Sequence, residues 1–414
     1  MNLFVKNISQ LVTVAARGKT VKTGADMGDL GVITNAGVYC KEGKIAWAGP
    51  MPEATRAVPE DVAELDASGR CVLPGFVDSH THAMFAGSRV EEFTLRAVGA
   101  TYQEIAAKGG GIVSTVRAVR AADKKSLKRP TARYLTDMLR SGTTTVEIKS
   151  GYGLAKDAEI RMLEAINELK DEEIIRVVPT FLGAHAIPPE YRDKPHDYVS
   201  LVIDELMPYV GKKKLAKFCD VFCEKGYFGL EESERILLAG KTWGMQPKLH
   251  ADELSPLGGA ELAGRIGAVS ADHLERVSVA GIAALRSAGV VAGLLPGVSF
   301  FLNHGYAPAR DLIEAGVAVA IATDFNPGSC MSYSMPMMMT IACTQMRFTP
   351  EEAITAATLH GAAALGLSSR VGSIETGKEA DLIVADVPDY RHIAYHYGVN
   401  HVQTVVKNGT ILEL

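Results

Sequence analysis

The stretch "VLPGFVDSHTHAMFAGSR" (residues 72–89) starts as an apolar run, closes on two histidines, His80 and His82, and reaches a cation at Arg89. In an extended strand, residues two apart face the same side at roughly 6.5 Å, so the two imidazoles can converge on one point. Two surface histidines are the ordinary meaning of His-x-His. Here the pair follows "PGFVDS" in an apolar segment. Burying two imidazoles without partners is costly, and a metal ion supplies the partner.

Seven further runs of strand formers follow. They are "TTTVEIKSGYG" from Thr143, "IRVVPTFLGAH" to His185, "LAKFCDVFCEKG", "MQPKLHADE" from Met245, "AVSADHLE" to Glu275, "VVAGLLPGV", and "VAVAIATDFNPGS" to Ser329. Helical patterns separate them, such as "DAEIRMLEAINELKDE" (157–172) and "EESERILLAGKTWG" (231–244). Alternation of apolar strands with helices predicts a parallel sheet, and eight units favour a closed (β/α)8 barrel over an open sheet. The flanks differ. Short β patterns with "EGK" and "NG" turns occupy 1–65 ("LFVKNIS", "GVYCKEGKIAWAG") and 371–414 ("VQTVVKNGTIL"). The expected organisation is a barrel over 66–370 and one small β-sandwich built from 1–65 and 371–414. The helices near 350–366 are assigned to the barrel, and the methionines between Met331 and Met346 to a helix packed on it.

At 414 residues the chain has room for a barrel of about 250 residues and a smaller unit. A net charge of −5 gives no reason to expect nucleic acid or an acidic membrane as partner. There is no signal-peptide pattern and no apolar run of about 18 residues, so a cytoplasmic protein that does not span a membrane is expected. The six cysteines are then reduced thiols, with Cys219 and Cys223 in buried packing.

A parallel barrel carries its active site at the C-terminal ends of its strands. The metal-capable residues fall there: His80 and His82 on strand one, His185 on three, His250 and Glu253 on five, His273 on six, Asp324 and Asn326 on eight. His250 and Asp324 complete a ligand set with His80 and His82. Three imidazoles and a carboxylate suit zinc or iron(II) rather than calcium or magnesium. The competing reading of Asp324 is a helix cap, since "DFNPGS" is turn-like.

"PGFVDSHTH", the histidines on strands five and six and the aspartate on strand eight resemble the amidohydrolase superfamily. Within it, "FAGSR" (85–89), "KGGGIVSTVRA" (108–118), "EIKSGYGL" (147–154), "FLGAHAIPPEY" (181–191) and "ATDFNPGS" (322–329) are similar to the imidazolonepropionase family. The resemblance covers essentially the whole chain. It implies one zinc or iron ion held by His80, His82, His250 and Asp324. It also implies ring opening of 4-imidazolone-5-propanoate to N-formimidoyl-L-glutamate in histidine degradation, by metal-activated water. Some superfamily members bridge two metals with a carboxylated lysine on strand four. Here Glu224 and Lys225 stand there, Lys149 lies on strand two, and one metal is expected.

On this reading Glu253, three residues past His250, transfers the proton between water and the leaving ring nitrogen, a task that Asp324 can share. His273 donates to the developing oxyanion or orients the water. Arg89 grips the propionate tail through paired hydrogen bonds. Tyr152, His185, Asn326, Gly328 and Ser329 carry over from the family as further substrate contacts, and a homodimer is expected on the same ground. Two rivals stand beside it. A purine or pyrimidine deaminase of the superfamily shares the His250–Glu253 spacing but would release ammonia. A non-catalytic scaffold would lack ligands, and none is missing.

Overall fold

The computed structural model describes residues 2–100 and 109–413. Lys108, which opens one of the family-like blocks, lies outside them. The chain begins with β1 (Leu3–Val12), β2 (Val32–Lys41), β3 (Lys44–Pro50), β4 (Ala63–Asp66) and β5 (Cys71–Pro74). The barrel strands follow: β6 (Phe76–Asp78), β7 (Thr143–Lys149), β8 (Arg176–Ala184), β9 (Phe218–Cys223), β10 (Gln246–Ala251), β11 (Ser270–His273), β12 (Val291–Leu294) and β13 (Val319–Ile321). The chain closes with β14 (Leu382–Ala385), β15 (Val402–Lys407) and β16 (Thr410–Leu412).

Strands β6 to β13 pair in sequence order, all parallel. Each of the eight expected runs supplies one. Their near-continuous apolar character follows from burial on both faces, against helices outside and the barrel interior within. Helices Lys156–Glu172 and Leu230–Thr242 stand where the helical patterns lie. The run Pro350–Ala364 packs on the barrel, with Ala362 in one buried cluster with Val77, Val178 and Phe218. Met335, Met338 and Met339 are buried on helix Met335–Gln345. All six thiols are free, and Cys219 and Cys223 are fully buried.

The other eight strands form a second sheet from both chain ends, in the order β16-β15-β14-β5-β1-β2-β3, with β4 paired to β1. Val5, Ile8 and Leu11 of β1 meet Val38, Val72, Leu382 and Val406 in its core. The opening apolar run is divided between the two sheets. Cys71–Pro74 lies between β1 and β14, and Phe76 starts the barrel beside Thr143. The small sheet therefore takes Asp66 and Cys71–Pro74 from within 66–370. Gly75 makes the crossing. A Cβ there would stand 2.3 Å from Thr144 Oγ1, so only glycine lets the chain pass so close to β7. Among the described residues no helix is long and apolar enough to cross a membrane.

Candidate active site

The barrel's first and last strands are joined just beyond their ends. Thr81 and Phe325 form a parallel bridge. The His82 N–H donates to Phe325 O at 3.0 Å and the Asp324 N–H to His80 O at 2.9 Å. This junction sets the histidine pair against Asp324, whose φ of 48° is left-handed, a conformation that aspartate tolerates better than most residues. His250 enters from β10.

Three imidazoles and a carboxylate then face one point. His82 Nε2 lies 3.4 Å from His250 Nε2 and 3.3 Å from Asp324 Oδ1, and His80 Nε2 lies 3.5 Å from the same oxygen. Ligands at 2.0–2.1 Å around a tetrahedral ion stand roughly 3.4 Å from one another. Buried His80 Nε2 and Asp324 Oδ1 have no hydrogen-bond partner among the described residues. Two orphaned acceptors at tetrahedral spacing fit a small divalent cation. The ligand atoms of His80, His82 and His250 lie within 4.8 Å of one another, as do those of His80, His273 and Asp324.

His273, at φ 80°, turns beside this point. Its Nε2 is 3.5 Å from Glu253 Oε2 and its Nδ1 3.7 Å from Glu275 Oε2. Burial penalises the imidazolium, but Glu253, Glu275 and Asp324 outweigh burial and raise His273 to about 10. Burial raises Glu253 to about 7, against the pull of His273. His273 is thus held as the imidazolium at neutral pH.

Above the histidines opens a cavity of about 400 Å³. Its floor includes His82, His250, His273, Glu253 and Asp324, and its walls carry Arg89, Tyr152, His185, Asn326, Gly328 and Ser329. Every candidate named from sequence faces this space except His80, which lies beneath it. Arg89 donates through Nε and Nη2 to Glu92 Oε2 at 2.9 and 2.7 Å. The other oxygen of Glu92 accepts the Gly111 N–H at 3.0 Å. One edge of the guanidinium is therefore fixed and its Nη1 end faces Gly328, where a Cβ would stand 2.0 Å from Nη1. A second cation, Arg96, donates to Gly328 O at 3.0 Å and lies over the Phe301 ring.

Tyr152 rides on a turn whose Gly151, Gly153 and Leu154 N–H groups all donate to the buried Glu159 carboxylate. His185 Nδ1 bonds Gly151 O at 2.9 Å, and its ring stacks on His82 at 4.9 Å. Burial lowers it to about 4, so it is neutral. Asn326 shapes the final loop, accepting the Gly328 and Ser329 N–H groups at 2.8 Å and donating to Asp324 Oδ2 at 3.1 Å.

Glu224 is engaged elsewhere. It accepts the N–H groups of Leu254 and Ser255 at 2.9 and 3.2 Å, which fixes the loop that carries Glu253. Beneath the histidines lies an ionic layer that motif reading missed: Glu147, Lys149, Asp220, Lys248 and Asp272, all buried. Its signal was present as spacing, since Glu147/Lys149 and Lys248/His250 are pairs two apart on one strand face. Glu92 and Arg96 were likewise passed over, although steps of three and then four residues from Arg89 place them on one side of helix Val90–Ala97.

Two sequence models of the amidohydrolase family match the chain, one over residues 63–186 and the other over 260–412. Among curated proteins, imidazolonepropionase of Geobacillus kaustophilus (strain HTA426) is 49% identical over 413 residues, covering 99% of this chain and 97% of its own. That of Porphyromonas gingivalis (strain ATCC BAA-308 / W83) is 47% identical, covering 100% and 97%. Among solved structures, an adenosine deaminase from Xanthomonas campestris with bound zinc matches at a TM-score of 0.73 and 20% identity, over 99% of this chain and 92% of that one. Guanine deaminase of E. coli matches at 0.75 and 16%, over 100% and 99%. At such identities the structures share the fold alone.

Proposed function

The chain belongs to the imidazolonepropionase family of amidohydrolases, and from that premise we propose that it opens the ring of 4-imidazolone-5-propanoate to N-formimidoyl-L-glutamate, using one zinc or iron ion held by His80, His82, His250 and Asp324. The observation that carries this reading is the tetrahedral spacing of three Nε2 atoms and Asp324 Oδ1 on the floor of a cavity whose wall bears Arg89. When bound, such an ion supplies Lewis acidity, lowering the pKa of coordinated water to about 7 and polarising a carbonyl.

The protein's own groups do the rest. Water adds at the ring carbonyl carbon, the carbon–nitrogen bond breaks, and the ring nitrogen gains a proton. Glu253 Oε2 accepts the proton from water and returns it to that nitrogen. His273, protonated, donates from Nε2 to the oxygen that gains negative charge. Arg89 receives the tail carboxylate on its Nη1 end, since Glu92 holds the opposite edge. Tyr152 and His185 wall the ring on one side, and the loop of Asn326, Gly328 and Ser329 closes the other.

The test is a ring-absorbance assay on 4-imidazolone-5-propanoate, with ammonia and metal measured on the same preparation. Expected are decay of the ring chromophore, no ammonia, and one zinc or iron per chain. Ammonia released in step with turnover would move the protein to the deaminases. A metal-loaded protein inert toward this substrate would overturn the assignment.

A further inference from the structure

The ionic layer under the histidines forms a continuous chain between two of the ligands. His250 Nδ1 lies 3.1 Å from Asp220 Oδ1, and Asp220 Oδ2 accepts Lys149 Nζ at 2.7 Å. Lys149 Nζ lies 2.8 Å from Glu147 Oε2, and Glu147 Oε1 lies 3.1 Å from Lys248 Nζ. Lys248 Nζ donates to Ser79 O at 2.9 Å and stands 3.7 Å from Asp272 Oδ2, which meets His80 Nδ1 at 2.7 Å. Seven side chains on five segments of the barrel thus run from one imidazole to the other. A barrel interior is ordinarily filled by layers of branched apolar side chains. Replacing such a layer by five buried charges offers no stability advantage, because desolvation offsets the attraction. The layer also balances: three carboxylates against two ammoniums leave one negative charge, Asp324 adds a second, and a single divalent ion neutralises both.

We propose that Lys149 and Lys248 are positioning residues for the metal ligands, clamping Asp220 and Asp272 so that the rings of His250 and His80 present Nε2 to a shared ion. The proposal rests on the metal assignment above. Lys149 fixes one oxygen of Asp220 and thereby leaves the other aimed at His250. Lys248 ties the layer to the Ser79 carbonyl, the residue before His80, so the first ligand segment is held from below as well as by Asp272. Lys149 here takes no part in bridging metals. It acts one contact further out, through a carboxylate, and carboxylates behind ligating histidines typically contribute 10–100-fold in metal affinity.

The experiment uses the full chain with Lys149→Met, Asp220→Asn and the double variant. Zinc affinity is read by competition with a chromophoric chelator. Ligand geometry is read from the visible bands of the Co²⁺-substituted protein, and folding from thermal unfolding of the metal-free forms. Each single change should weaken zinc roughly 10–100-fold and alter the cobalt spectrum. The double change should cost little more than the worse single one, because both break the same link. Lys149→Arg should recover part of the affinity. Zinc binding by Lys149→Met within about threefold of the parent, with an unchanged cobalt spectrum, would overturn the proposal; so would fully additive losses. If Lys149→Met does not fold, Asp220→Asn decides alone: folded, with parental affinity, it refutes the clamp. Failure of the parent chain itself to bind zinc or cobalt would instead refute the metal assignment.

Discussion

Glu253 and Arg89 divide the labour between chemistry and binding, and each can be altered alone. Glu253→Gln keeps the side chain's shape but removes its capacity to take a proton. We expect kcat to fall by about 10²–10⁴-fold with metal content and KM little changed. Burial places Glu253 near 7, and its working form is the carboxylate, so the parent's rate should decline as pH falls below about 7. That limb should be absent in the variant. Near-parental kcat with full metal would pass the proton to Asp324 or His273. For Arg89 two substitutions act on one contact. Arg89→Met should cost about 2–5 kcal/mol in kcat/KM, mostly in KM. Gly328→Ala sets a methyl 2.0 Å from Nη1 of a guanidinium that Glu92 already holds. It should therefore raise KM in the same direction while leaving kcat near the parent's. Kinetics on both variants check this, and a Gly328→Ala enzyme with unaltered KM would show that the tail binds elsewhere.

Among the elements, the crossing at Gly75 is the most exacting. Gly75→Ala drives a methyl into Thr144 within a fully buried wall. A loss of about 1–3 kcal/mol is expected, as for other overpacked cores, measurable as a lowered thermal midpoint. This crossing also marks where sequence reading stops. Alternation and apolar content locate all eight barrel strands, because burial on both faces leaves that mark. They cannot say that Cys71–Pro74 pairs in one sheet and Phe76–Asp78 in another, since partners across a sheet leave no periodicity in their own strand. The same limit applies to side chains. The His80–His82 spacing was legible because two imidazoles two apart must share a side. The role of Glu224 was not, because its partners are backbone amides thirty residues on, at Leu254 and Ser255. The layer of Glu147, Lys149, Asp220, Lys248 and Asp272 was readable residue by residue but not as a unit, since all its links but Lys149–Glu147 join different strands.

At the scale of the whole molecule, the ion and the fold are thermodynamically coupled. Without it, His80 Nε2 and Asp324 Oδ1 are buried acceptors facing one another. An ion that binds only the folded chain adds about 2.7 kcal/mol when present at a hundredfold excess over its dissociation constant. Stripping with a chelator should therefore lower the melting temperature, and added zinc should restore it in a concentration-dependent way. A midpoint indifferent to both would separate the site from stability. The shared sheet has a further consequence, for synthesis on the ribosome. Strand β5, one residue upstream of the barrel's first strand across Gly75, is flanked by β1, made before the barrel, and by β14, made after it. While the nascent chain is still growing, β5 has an open edge, and the segment leading to His80 and His82 is anchored from one side only. The enzyme therefore completes the mooring of its first two ligands only once Leu382–Ala385 have left the exit tunnel, so a chain stalled before Leu382 is released with the whole barrel sequence present and that mooring unfinished.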